Sequence, residues 1–143
     1  MTTTPLHRLL KAGILLAFVS AAAEVRADRF DESDIRGDYA FTFDGTAGDA
    51  TVAAVGRFFG DGKGNLLNGS RTLVVGGVES NQTFNCTYVV RADGWGTADC
   101  KVLSAGTQSP ESFAFVVFKH GDEAYLVGTT PGITIRGNVV RQR

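Results

Sequence analysis

Between Phe84 and Val102 the sequence allows essentially one pairing, and that pairing constrains the rest of the chain. Ala92-Asp93-Gly94 has the chemistry of a three-residue hairpin loop, with Gly94 in the left-handed position that side chains resist. A bend there sets Val90 opposite Gly96, Tyr88 opposite Ala98, Cys86 opposite Cys100 and Phe84 opposite Val102. Every member of that set is apolar or small. The other face carries Asn85, Thr87, Arg91, Thr97, Asp99 and Lys101, with Val89 and Trp95 as exceptions. A slip of one residue would turn the apolar set to water and part the cysteines. The segment therefore reads as two half-buried strands.

The same period runs on either side. Arg29 to Ile35 is an acidic lead-in with a short helical turn, after which Tyr39, Phe41 and Phe43 alternate with Ala40, Thr42 and Asp44. Asp61-Gly62-Lys63-Gly64 repeats the D-G-x-G pattern of the later turn 32 residues earlier. Transferring the register places Phe58 opposite Gly64 and Gly56 opposite Leu66. Val52, Ala54, Phe58, Leu66, Asn68, Ser70 and Thr72 would then face inward, with Val55, Phe59, Leu67, Leu73, Arg57 and Arg71 outside. Gly121-Asp122 divides two apolar segments, and Pro131-Gly132 suits the centre of a type II turn. Strands are expected near 38–44, 51–59, 64–74, 83–91, 95–103, 112–119, 123–129 and 133–141, and no segment after Ile35 has a helical period. Eight short strands joined by hairpins are satisfied by an all-β, eight-stranded antiparallel up-and-down barrel; a two-sheet β-sandwich is the alternative.

Residues 1–27 read as a cleaved secretion signal. His7, Arg8 and Lys11 precede an apolar run from Ala12 to Ala23, and Val25-Arg26-Ala27 offers a small-residue cleavage site. The run is too short to cross a bilayer, so no membrane anchor is expected, and residues 28–143 form the single domain. Export to a periplasm or the extracellular space makes an even pair of cysteines a disulfide, Cys86–Cys100. Formal net charge is −1, and without Arg8, Lys11, Arg26 and Glu24 the domain holds 11 basic and 14 acidic side chains. Such a surface does not attract nucleic acid.

Arg29-Phe30-Asp31 followed by Ile35-Arg36-Gly37-Asp38-Tyr39 is similar to the opening of lipocalins, in which a Phe-Asp pair precedes Gly-x-Trp; Tyr39 stands at the Trp position. The chain thereby resembles the calycin barrels, a group that includes lipocalins and avidin, and also the allene-oxide-cyclase-type barrel. The resemblance implies a closed barrel able to bind a ligand, with Arg136 or Arg141 crossing one end, and in the second case an isomerase or cyclase. The middle lipocalin motif Thr-Asp-Tyr has no counterpart; Thr129-Thr130-Pro131 is nearest. The chain is similar as well to small exported bacterial proteins that repeat G-x-Y-x-F and D-G-x-G-N.

No constellation for catalysis is evident. One histidine, His120, remains after the signal and sits at a hairpin tip, and no G-x-S-x-G elbow occurs. Glu79, Glu111 and Glu123 read as surface charge. Neither a metal nor a cofactor is expected: Cys86, Cys100 and His120 cannot assemble a zinc set, and Lys63 stands where a calcium loop needs an oxygen. Arg36-Gly37-Asp38 runs into a strand and is not displayed as an adhesion loop. The candidate site is the interior, where Tyr39, Phe41, Phe43, Phe58 and Tyr88 would meet Asn68, Ser70 and Thr72 around a small, largely apolar ligand. A second reading is a homo-oligomer or protein partner held by Val55, Phe59, Leu67, Leu73 and the apolar strands of 112–129. A lipid-embedded barrel is disfavoured by the polar second face of the Phe84–Val102 hairpin.

Overall fold

Period-two alternation produces eight strands, each long enough to carry one row of side chains through the core. The computed structural model describes residues 29–143, and the expected secretion signal lies outside them. The strands are β1 (Arg36–Ala47), β2 (Ala50–Asp61), β3 (Asn65–Val75), β4 (Val78–Val90), β5 (Trp95–Ser104), β6 (Thr107–Phe118), β7 (Glu123–Gly128) and β8 (Ile133–Arg141). Each pairs antiparallel with the next, and β8 returns to β1, giving a closed up-and-down barrel. Closure leaves no edge strand to protect, and excludes the sandwich.

The β4–β5 hairpin has the register its sequence demands: Val90 faces Gly96, Tyr88 faces Ala98, Cys86 faces Cys100 and Phe84 faces Val102. Gly94 takes φ +86, and a disulfide joins Cys86 to Cys100 inside the core. Two strands begin earlier than expected, β4 at Val78 and β6 at Thr107. Their first residues, Val78-Glu79 and Thr107 to Pro110, are exposed, so no buried face imposes an apolar alternation there.

The β2–β3 hairpin corrects the transferred register. Gly60 faces Leu66 and Phe59 faces Leu67, so the bend lies beyond Asp61 rather than on it. Both Gly62 and Gly64 have positive φ, at +70 and +92, which moves the turn to Gly62-Lys63-Gly64. Asp61 holds it: its Oδ1 accepts from the backbone N–H of Lys63 and Asn65 at 2.7 and 3.0 Å. A bulge follows. Between Leu66 and Gly69, β3 has one residue more than either neighbour, and Asn68 takes φ +53 with its N–H on Asn85 Oδ1 at 3.0 Å. An extra residue reverses which side chains point inward. Gly69, Arg71 and Leu73 therefore join the interior side, while Asn68 is exposed and Ser70 and Thr72 lie on the outward register.

Four interior phenylalanines face glycines across neighbouring strands: Phe41 with Gly56, Phe43 with Gly137, Phe84 with Gly69 and Phe115 with Gly96. A methyl group on any of these glycines would overlap the facing phenylalanine. The pairing sets four of the 10 phenylalanines against bare backbone.

Candidate functional site

The interior is closed at one end by the lead-in. Asp31 caps a 3-10 turn at Glu32–Asp34, its Oδ1 accepting from Ser33 N–H at 2.8 Å. Tyr88 donates its hydroxyl hydrogen to the Glu32 carbonyl at 2.7 Å, and Tyr39 donates to the Gly121 carbonyl at 2.8 Å. Arg141 Nη2 donates to the Asp34 carbonyl at 2.8 Å, with the guanidinium carbon 5.4 Å from the centre of the Tyr39 ring. Arg136, by contrast, lies outside with its side chain 81% exposed. Two strand rows and the lead-in are thus tied together by hydroxyls that reach backbone carbonyls under a layer of apolar side chains.

Burial pushes the Tyr88 phenol up to about 12, with the Asp61 and Glu32 carboxylates adding to the effect. Tyr39 is raised too, again by burial, against the opposing pull of Arg141. The native state holds both phenols neutral, whereas an unfolded chain ionises them near pH 10. Their contribution is complete below pH 10 and disappears as pH climbs toward 12. An absorbance titration should therefore show Tyr88 ionising together with loss of tertiary structure, and Tyr88→Phe should raise the pH of alkaline unfolding. Full ionisation of every tyrosine near pH 10 in a folded barrel would refute this.

Above the closed end lies a cavity of about 90 Å³. Tyr39, Phe41, Phe43, Phe58 and Tyr88 all line it, beside Phe84, Val102 and Phe115. The rings order one another: Tyr39 stacks on Phe58 at 5.2 Å, and Phe84 meets Phe41 edge-on at 5.8 Å. Asn68, Ser70 and Thr72 take no part in it, because the Asn68 bulge places them on the outside; Thr72 donates to Asn81 Oδ1 there at 2.9 Å.

The polar part of the interior comes from residues assigned elsewhere by the sequence. Arg71, expected outside, is 6% exposed, and Glu111, expected on the surface, lies within β6 and reaches it. Arg71 Nε donates to Gln82 Oε1 at 2.7 Å, while Nη1 and Nη2 donate to the two Glu111 oxygens at 2.8 and 2.5 Å. The guanidinium also lies over the Phe43 ring at 5.5 Å. The pair links β3 to β6 across the interior, toward the end carrying the Gly48-Asp49, Gly76-Gly77 and Ala105-Gly106 turns. The signal that would have revealed it is Asn68-Gly69, an Asn that tolerates the left-handed region followed by Gly, after which Arg71, Leu73 and Val75 restore the alternation.

The outer wall is not uniformly polar. Trp95, Val116 and Tyr125 form one cross-strand row on β5, β6 and β7, with Trp95 52% and Tyr125 61% exposed. Phe118 packs on Tyr125 at 4.8 Å between ring centres. Val55, Phe59 and Leu67 are exposed as expected, whereas Leu73 packs against the core. His120 is exposed on the turn before β7. Among the described residues no three His, Cys, Asp or Glu side chains gather as a metal set, and no helix is long and apolar enough to cross a membrane.

The fold defines a closed eight-stranded antiparallel barrel with a partly filled interior. No protein-family model matches the chain, and neither a curated protein nor a solved structure is significantly similar to it.

Proposed function

We propose that this is an exported, non-catalytic barrel that holds a small, largely apolar ligand in its interior. The observation that carries the reading is the cavity itself: about 90 Å³, walled by aromatic rings and other apolar side chains with Arg71 as the one charged residue among them, and closed below by the lead-in. A well-packed domain of this size ordinarily leaves few voids larger than a water molecule, and an apolar void of this kind stays dry and accepts apolar guests. Export is supported by the basic, apolar and small-residue succession of residues 1–27 and by the disulfide, which persists in an oxidising compartment. A relation to the calycin barrels belongs to the same proposal, supported by Arg141 lying over Tyr39 at the closed end. Xenon is the matching probe. Its chemical shift should report saturable entry into the wild-type interior, and Val102→Ala, which enlarges the cavity, should strengthen uptake. A barrel that takes up no xenon in either form would dispose of the reading.

A second reading, association through the outer wall, is favoured by the exposed Trp95 and Tyr125, which flank the half-buried Val116 in one row. Light scattering decides it, since a monomer at high concentration would exclude a homo-oligomer.

A further inference from the structure

A guanidinium carries five N–H donors. Arg71 brings them to a position where its side chain is 3% exposed. Three are engaged, one by Gln82 and two by Glu111, which leaves one N–H on each terminal nitrogen without an acceptor among the described residues. Arg71 is also the charged residue in the wall of the cavity, whereas Glu111 is not part of that wall. Glu111 stands on the solvent side of the pair, 18% exposed, next to the exposed Thr107–Pro110 stretch of β6. The side chain of a buried cation thus lines an apolar cavity, with its guanidinium held at the edge of that cavity by Gln82 and Glu111, while its counter-ion has water within reach. Stability does not explain the arrangement, because apolar residues of similar volume fill a core as well or better than an ion pair.

We infer that the cavity takes a small monocarboxylate, whose head group replaces Glu111 on Arg71 and whose hydrocarbon part lies among Phe41, Phe58, Phe84 and Val102. The inference rests on the interior-ligand reading given above and adds the ligand's chemistry to it. Glu111 is the chain's own stand-in for that head group: it presents two carboxylate oxygens to both terminal nitrogens, the geometry a planar guanidinium favours. As the ligand enters, Glu111 turns toward the water at the rim. One cation and one neutral amide, Gln82, match a single negative charge, and the apolar wall gives a second charge no partner. Size sets the other limit. A cavity of about 150 Å³ holds benzene, so the space here suits a tail of about three or four carbons.

Butyrate and its uncharged analogue butyramide, titrated into the disulfide-bonded domain and followed by calorimetry, test the inference. Wild type should bind butyrate about tenfold more tightly than butyramide, reflecting the ionic hydrogen bonds to Arg71. Glu111→Gln removes the competing charge and should tighten butyrate by about tenfold while leaving butyramide unchanged. Arg71→Met should abolish the preference, and should it fail to fold, Glu111→Gln still decides. Xenon uptake measured on the same samples separates the two levels. If xenon enters but butyrate binds no better than butyramide, or if Glu111→Gln weakens butyrate, the carboxylate assignment is overturned and the interior reading stands. If neither xenon nor butyrate enters, the interior reading itself is gone.

Discussion

Replacing Cys86 and Cys100 together by alanine is expected to lower the thermal midpoint by about 10 °C. The bond closes a loop with a sequence separation of 14, for which loop-closure entropy in the unfolded chain contributes about 3 kcal/mol. For a domain of this length each kcal/mol shifts the midpoint by roughly 3–5 °C. Both cysteines are nearly buried, at 4% and 6% exposure, so a reductant reaches them only when the barrel opens. Reduction in mild denaturant followed by refolding should therefore reproduce the effect of the double substitution. An unchanged midpoint in both experiments would show that the bond contributes nothing to stability. The two cysteines also face each other across β4 and β5, so the bond fixes the register on which the cavity wall depends. Loss of stability should consequently be accompanied by weaker xenon uptake.

How far the sequence led is clearest along β3 and β4. The β4–β5 hairpin was legible because three independent signals agreed: the Gly94 turn, the alternation, and two cysteines that had to meet. The aromatic half of the cavity followed from alternation alone, since Tyr39, Phe41, Phe43, Phe58 and Tyr88 keep an undisturbed period along strands without a bulge at those positions. The polar half was hidden by one residue. With Asn68 counted as an ordinary strand position, Ser70 and Thr72 turn inward and Arg71 outward; with Asn68 as a bulge, the assignment reverses. An exposed Arg is the commoner outcome, and that expectation outweighs the one contrary signal within residues 65–75, Asn68-Gly69 ahead of Leu73 and Val75. Glu111 was obscured for another reason: it is separated from Arg71 by 40 residues, and only closure of the barrel brings β6 across from β3.

That hidden pair carries the other large effect. Arg71→Ala should destabilise the barrel by about 3–5 kcal/mol, because it strips the partly buried Glu111 of its partner and removes the side chain that fills the space over Phe43. Glu111→Ala should fall in the same range, since it leaves a guanidinium that is 3% exposed with Gln82 as its remaining side-chain partner. The double variant Arg71→Met with Glu111→Leu should return close to wild type, because neither charge then remains to be desolvated. Urea denaturation of wild type, Arg71→Met, Glu111→Leu and the double variant measures the coupling directly. Purely additive losses would mean that the two residues act separately and that their contact contributes nothing. The cycle bears on binding as well. In Glu111→Ala the guanidinium keeps only Gln82 as a side-chain acceptor, so a carboxylate ligand offsets part of the lost stability in proportion to its occupancy. Butyrate should thus raise the midpoint of Glu111→Ala more than that of wild type, and should leave the uncharged double variant unmoved.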